Sequence, residues 1–272
     1  MTQQAPPRAV LAARVLPVWG SGSWRIVERN FLVYRRGWVV FVTGMLEPIL
    51  YLLSIGVGVG GLVGDFSLGD GTRVGYVEFV APAMLASSAM NGALFDATYN
   101  IFFRMKYAKL YDAMLATPLR PTDVARGEIT WALLRGSCYS AVFILVMLML
   151  GLVSSWWMLL ALPATLLIGY AFAGAGMALT TWMRTWQDFE FVTLAIMPMF
   201  LFSATFYPLS TYPGVVQVIV RCTPLYQGVS LIRGMALGTL GWSALWSAAY
   251  LAAMGTLGLR VAGRRVGALL LK

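Results

Sequence analysis

Long apolar runs alternate along the chain with short segments dense in charge. A helix rising about 1.5 Å per residue needs about 20 apolar residues to cross a hydrocarbon core about 30 Å thick. The apolar pattern predicts six such helices, over about 39–63, 79–103, 128–153, 156–182, 189–208 and 242–261. The first three carry polar groups of interest: Glu47 beside Pro48 in the first, Asn91, Asp96 and Asn100 in the second, and Glu128 and Arg135 in the third. From Phe206 to Leu240 the chain is too broken by Pro, Gly and polar residues for a regular span and too apolar for a free loop. It reads as short re-entrant helices in the outer leaflet, tolerable only where protein covers their backbone. The expected fold is an all-α membrane protein in two parts, a tail with an interfacial helix (1–38) and a transmembrane domain (39–272).

Two segments have helical periodicity of a different kind. Trp24, Val27, Phe31, Tyr34 and Trp38 recur at spacings of three and four, with Arg25, Arg29 and Arg36 opposite, which predicts a helix lying flat on the inner leaflet. The stretch from Arg104 to Glu128 is too charged to sit in hydrocarbon. Within it Tyr107, Leu110, Tyr111, Met114 and Leu115 also recur at three and four, predicting an amphipathic helix over about 105–116. Pro118 and Pro121 end it, and Thr122 is positioned to cap the next helix.

Composition agrees: 59% of residues are hydrophobic, 11% are charged and the mean hydropathy is +0.75. The net charge of +9 comes from bases flanking apolar runs rather than from an aromatic-interleaved soluble patch, so it implies topology and no nucleic-acid partner. With both termini cytoplasmic, every Lys and Arg except Arg73, Arg221 and Arg233 falls on the inner side. There is no histidine, which excludes imidazole metal sites, His-based triads and imidazole proton shuttles. Cys138 and Cys222 have no metal-like spacing and read as unpaired packing residues. Gly56, Gly58 and Gly61 satisfy GxGxxG, but no strand precedes them; Gly56, Gly60 and Gly64 at intervals of four suit close helix approach instead. No phosphate-binding GxxxxGK[ST] occurs, so ATP hydrolysis would have to come from a separate polypeptide.

The stretches FVAPAMLASSAMNGALFDATYNIFFRMKYAKLYDAMLATPL (79–119), RPTDVARGE (120–128) and MPMFLFSATFYPLSTYP (197–213), with Arg221 to Gly234, resemble the ABC-2-type transporter permease family, and within it nodulation-factor exporter and daunorubicin-resistance permeases. The resemblance implies a permease subunit of an exporter in the bacterial plasma membrane, working as a homodimer or with a related permease. It implies two ATP-binding-cassette ATPase subunits that carry ATP and Mg, with no cofactor on this chain, and an amphiphilic substrate. The 105–116 helix would then couple to the ATPase, with Tyr107, Leu110, Tyr111, Met114 and Leu115 as apolar anchors and Arg104, Lys106, Lys109 and Asp112 as rim charges.

Glu47, Asn91, Asp96, Asn100, Glu128 and Arg135 form either a structural interhelical network or part of a gate. Arg184, Asp188 and Glu190 make a second polar cluster. Met197, Met199, Phe200, Phe202, Phe206 and Tyr207 suit either an adaptable path for an amphiphile or plain packing. A self-sufficient secondary transporter is the alternative function; it would need coupling-ion sites and usually an internal repeat, and the repeat signal is weak.

Overall fold

The computed structural model describes residues 21–36, 38–67, 73–153 and 155–270. The side chains of Arg36, Trp38, Glu47, Asp112 and Leu115 lie outside the described residues, and the expectations attached to them stop there.

An amphipathic helix, α1 (Ser21–Arg36), leads into α2 (Trp38–Ile55), which a π-helical turn (Gly56–Gly60) and α3 (Gly61–Val63) prolong. A short antiparallel hairpin follows, β1 (Asp65–Ser67) with β2 (Arg73–Gly75), in which Phe66 faces Val74. Next comes one rod made of α4 (Tyr76–Phe95), a second π-helical turn (Asp96–Asn100) and α5 (Ile101–Lys106). The chain bends into α6 (Leu110–Leu115) and returns along α7 (Pro121–Met149). A 3₁₀ turn at Trp156–Leu160 opens α8 (Ala161–Thr180), a second at Trp186–Asp188 opens α9 (Phe189–Phe202), and a third lies at Leu209–Thr211. The last elements are α10 (Gly214–Cys222), α11 (Pro224–Leu237) and α12 (Trp242–Leu270).

The protein is therefore helical apart from one hairpin among the described residues, as the apolar pattern predicts. Among the described residues, three stretches are long and apolar enough to cross a membrane: Val42–Val63, Pro121–Met149 and Trp156–Thr180. The pair α10 and α11, bent by 87° at Thr223, makes a fourth if counted as one span. Helix also occupies the remaining expected spans, which fall short for visible reasons. The α4–α5 rod carries Asp96, Arg104 and Lys106, α9 has only 14 residues, and α12 holds Arg260, Arg264 and Arg265 in its second half.

Helix α7 begins seven residues before the expected span, because Pro121 occupies its first turn, where a missing N–H costs nothing. The Asp123 carboxylate accepts the Arg120 N–H at 3.2 Å, so the terminus is closed by Arg120 and Asp123 rather than capped by Thr122. Of the glycine row expected to admit a neighbour, Gly60 does so: a Cβ there would lie 2.7 Å from Val77 of α4. Gly64 instead turns the chain into β1 with φ at 66°.

The centre of the bundle is α8, whose Ala161, Ala164, Ile168, Ala171, Phe172, Ala173 and Met177 are all buried. Small residues bring its backbone directly against α12. A Cβ on Gly258 would lie 2.4 Å from the Gly174 carbonyl carbon, and one on Gly174 would lie 2.6 Å from the Gly255 oxygen. Such a seam replaces side-chain packing with backbone-to-backbone contact. Gly176 admits Leu94 of α4 in the same way, and the Thr180 hydroxyl donates to the Ala97 carbonyl in the π-helical turn at 3.2 Å.

Gly258→Ala should force α8 and α12 apart and destabilise by about 1–3 kcal/mol, the usual cost of overpacking. Gly136→Ala, where an added Cβ meets nothing within 4 Å, should leave the thermal midpoint of the detergent-solubilised protein unchanged or raised. Equal midpoints for the two variants would contradict the seam.

Candidate functional site

The polar residues of α1, the α4–α5 rod and α7 converge at one end of the bundle. Helix α1 packs on α7 so closely that a Cβ on Gly127 would lie 2.8 Å from Ile26 Cβ and 2.9 Å from the Ser23 carbonyl. It buries Ile26, Val27 and Asn30 and half-buries Arg29 and Tyr34, while Trp24 and Phe31 stay 63% and 58% exposed. The expected apolar stripe is thus split: Val27 and Tyr34 serve the protein, and Trp24 and Phe31 face outward beside exposed Arg25. The helix has turned to bring Asn30 inward.

Two ion pairs follow. Arg104 of α5 pairs with buried Glu128 of α7, whose Oε2 also accepts the Asn30 side-chain amide at 3.1 Å. Arg135, two turns further along α7, pairs with buried Asp96 in the π-helical turn, whose Oδ1 also accepts from Asn100 at 2.5 Å. The Arg135 guanidinium donates to the Tyr34 hydroxyl at 2.9 Å and lies 5.2 Å and 5.7 Å from the Tyr34 and Tyr139 ring centres. Asp96, Asn100, Glu128 and Arg135 therefore come together, but as two separate pairs joined through α1 rather than one contact between Glu128 and Arg135. Asn91 takes no part, and its Oδ1 makes no hydrogen bond among the described residues. Asp96 Oδ2 and Glu128 Oε1 are likewise without one. Charge rather than full hydrogen-bond satisfaction holds this network together.

The sequence reading missed Asn30, although its position on the arc between Ile26 and Tyr34 marks it as facing whatever those residues face. Arg104 was expected on the rim of a docking surface; its pairing with Glu128 turns it inward instead.

The single helix expected over 105–116 is two pieces. Helix α5 ends at Lys106, the chain passes through Lys109 with φ at 45°, and α6 has six residues. Past the break Tyr111 is completely buried, and Leu110 and Met114 are partly buried against the cluster that includes Ile26, Ile101, Met105, Val124 and Val266. Tyr111 is therefore an internal anchor of the bend, not a surface one, and burial pushes its phenol well above its ordinary pKa, with the Glu128 charge adding to the effect. What the bend presents outward is Tyr107, 61% exposed, together with exposed Lys106, Ala108 and Lys109. Phe103, 55% exposed, stacks on Tyr107 at 5.7 Å and was not foreseen.

The apolar residues of α9 and beyond divide as well. Met197 and Phe202 line an open groove of about 590 Å³ with Tyr99, Trp186, Phe189 and Leu194. Met199, Phe200 and Phe206 are partly buried against the core, the last two edge to face at 5.3 Å, and Tyr207 is exposed. In the Arg184–Glu190 cluster, Asp188 accepts the Arg184 N–H at 2.6 Å and the Thr185 N–H at 3.1 Å, closing the turn that leads into α9. These backbone donors hold its carboxyl below the usual carboxylate range.

Apolar helices around a glycine seam, with paired charges buried at one end, define an integral membrane protein. The model of the ABC-2 type transporter family matches residues 23–237, and the chain belongs to that family, as a membrane permease component of transport. It is 34% identical over 230 residues to Nodulation protein J of Rhizobium leguminosarum bv. viciae, an overlap of 84% of this chain and 87% of that protein. Nodulation protein J of Rhizobium meliloti (strain 1021) is 32% identical over 231 residues, covering 84% and 86%.

Glu128→Ala should strand Arg104 and Asn30 and cost about 3–5 kcal/mol, the usual result of breaking a buried pair. Changing Arg104 and Glu128 together to Met should cost less than the two single substitutions summed, by thermal unfolding in detergent. Additive losses would show that the pair is not coupled. The turn at Asp188 should respond to pH. Because the folded pKa is depressed, its stabilisation is present above the ordinary carboxylate pKa of about 3.9 and is lost as pH falls through the folded value. Amide exchange at Arg184 and Thr185, corrected for intrinsic rates, should quicken over that acid range in the wild type. Asp188→Asn should remove the pH response.

Proposed function

We propose that this chain is the permease subunit of an ATP-binding-cassette exporter, with six crossings and both termini in the cytoplasm of a bacterium whose plasma membrane holds it. It moves an amphiphile, lipid-linked, glycolipid or drug-like, using ATP and Mg bound by two copies of a separate ATPase, and works beside a second permease, most simply another copy of itself. The relatives named Nodulation protein J support a place in that group of transport systems, and the Lys/Arg distribution supports the orientation.

The observation that carries the proposal is the bend between α5 and α6. Its apolar and basic tip (Phe103, Lys106, Tyr107, Lys109) is exposed, while its base is fixed by Tyr111 and by the Arg104–Glu128 pair. A soluble motor pressing on that tip would move α5, α7 and α1 together, because the same ion pairs tie all three. The docking surface is then this tip, with Leu110 and Met114 supporting it from behind, rather than one face of a continuous helix.

Tyr107→Asp combined with Lys109→Glu changes two exposed residues and leaves the ion pairs intact, at the cost of one edge contact between Tyr107 and Phe102. It should leave the permease in the membrane, reduce co-purification of the ATPase and lower substrate-stimulated ATP hydrolysis at least tenfold. Normal transport by that double variant would refute the docking surface. Transport in cells lacking every such ATPase would refute the exporter reading as a whole.

A further inference from the structure

At the opposite end of the α4–α5 rod from the ion pairs, another basic residue is held in a quite different way. Arg233 of α11 donates from Nε to the Phe79 carbonyl at 3.2 Å and from Nη2 to the Ala204 carbonyl at 2.8 Å. Its guanidinium carbon lies 3.6 Å from the centre of the Phe79 ring. These contacts clamp the group in one orientation yet occupy only two of its five N–H donors. They also supply no opposite charge. Among the described residues the ion pairs are those of Arg104 and Arg135, and none involves Arg233. Glu78, next to Phe79 in the chain, has its Cγ beside Gly75 of the hairpin.

Arg233 forms part of the wall of a cavity of about 380 Å³ between α4, α11, the start of α12 and the loop after α9. The other polar side chains on that wall are the hydroxyls of Ser210, Tyr226, Ser230, Thr239 and Ser243, with no carboxylate among the described residues that line it. A guanidinium fixed by neutral carbonyls, on a cavity wall that also carries hydroxyls, suits a planar or tetrahedral oxyanion, which accepts from the remaining Arg donors and from hydroxyls. Leu209, Leu237 and Leu240 give the same cavity an apolar side.

From this geometry we infer that the cavity binds the anionic headgroup of an amphiphile, a phosphate or carboxylate held by Arg233. The inference goes beyond the exporter reading and does not depend on an ATPase, so it stands or falls on the permease alone. Its ligand chemistry is shared by bilayer phospholipids and by free oxyanions, and the test separates them.

The full chain, purified in detergent, is titrated with phosphatidylglycerol, with phosphatidylcholine and with inorganic phosphate, and bound lipid is counted by native mass spectrometry beside the thermal midpoint. The wild type should take up phosphatidylglycerol at a concentration at least tenfold below phosphatidylcholine. Arg233→Gln should abolish the preference. Since that change also removes the carbonyl clamp, Ser230→Asp provides the second test: the new carboxylate stands three residues from Arg233 on the same helix, with Cβ atoms about 5–6 Å apart, and occupies the cation from within. It should lose the preference while keeping the unliganded thermal midpoint. Inorganic phosphate that displaces phosphatidylglycerol from the wild type, but has no effect on Ser230→Asp, would assign the site to the oxyanion alone. Equal uptake of the two lipids by the wild type, or an undiminished preference in Ser230→Asp, would overturn the inference.

Discussion

A charge buried in a medium of low dielectric must meet an opposite charge or be costly, since the idealised transfer of a carboxylate from water is about 20 kcal/mol and even the relaxed penalty is several. Glu128 and Asp96 are both buried in a chain whose neighbouring helices are built of Leu, Val, Phe and Met. That constraint explains how the helices at one end of the bundle are arranged. Arg104 must come off α5 facing α7, Arg135 must face the π-helical turn, and α1 must lie on α7 with Asn30 and Tyr34 inward. A helix expected to lie wholly on lipid is thereby recruited as the third wall of the network.

The apolar run lengths made the helical class and the helix positions legible, because hydrophobic length is a direct physical requirement for crossing a membrane. Partner choice was less so. Arg104 and Lys106 sit two residues apart in a charged stretch, and nothing local distinguishes the one that reaches Glu128 from the one that remains in water. Tyr111 shared the periodicity of Tyr107 and Leu110, yet one apolar stripe served two directions, since the chain breaks at Lys109 and turns the second half inward. Periodicity reports that a face is apolar and not what covers it. The same ambiguity divided Met197 and Phe202, which line the groove, from Met199 and Phe200, which pack against the core, although all four lie within six residues of one short helix.

The two basic residues at opposite ends of the α4–α5 rod illustrate how environment decides the role of identical chemistry. Arg104 has a carboxylate and acts as a structural tie. Arg233 has carbonyls and a ring, which hold its plane, and no ion pair among the described residues. Counting both as loop charges, as a topology argument does, misses that difference entirely.

The seam between α8 and α12 restricts where the molecule can deform. Side chains that interlock can exchange rotamers and let two helices slip, but Gly174, Gly255 and Gly258 offer no such adjustment. Arg265 fastens the far end of α12 as well, through the Thr181 hydroxyl at 3.0 Å and the face of Trp182. These two helices must therefore travel as a single stiff pillar. Any alternation between an inward and an outward shape has to be carried by the elements leaning on it, above all α9, which buries only Phe189 and Val192 along its whole length.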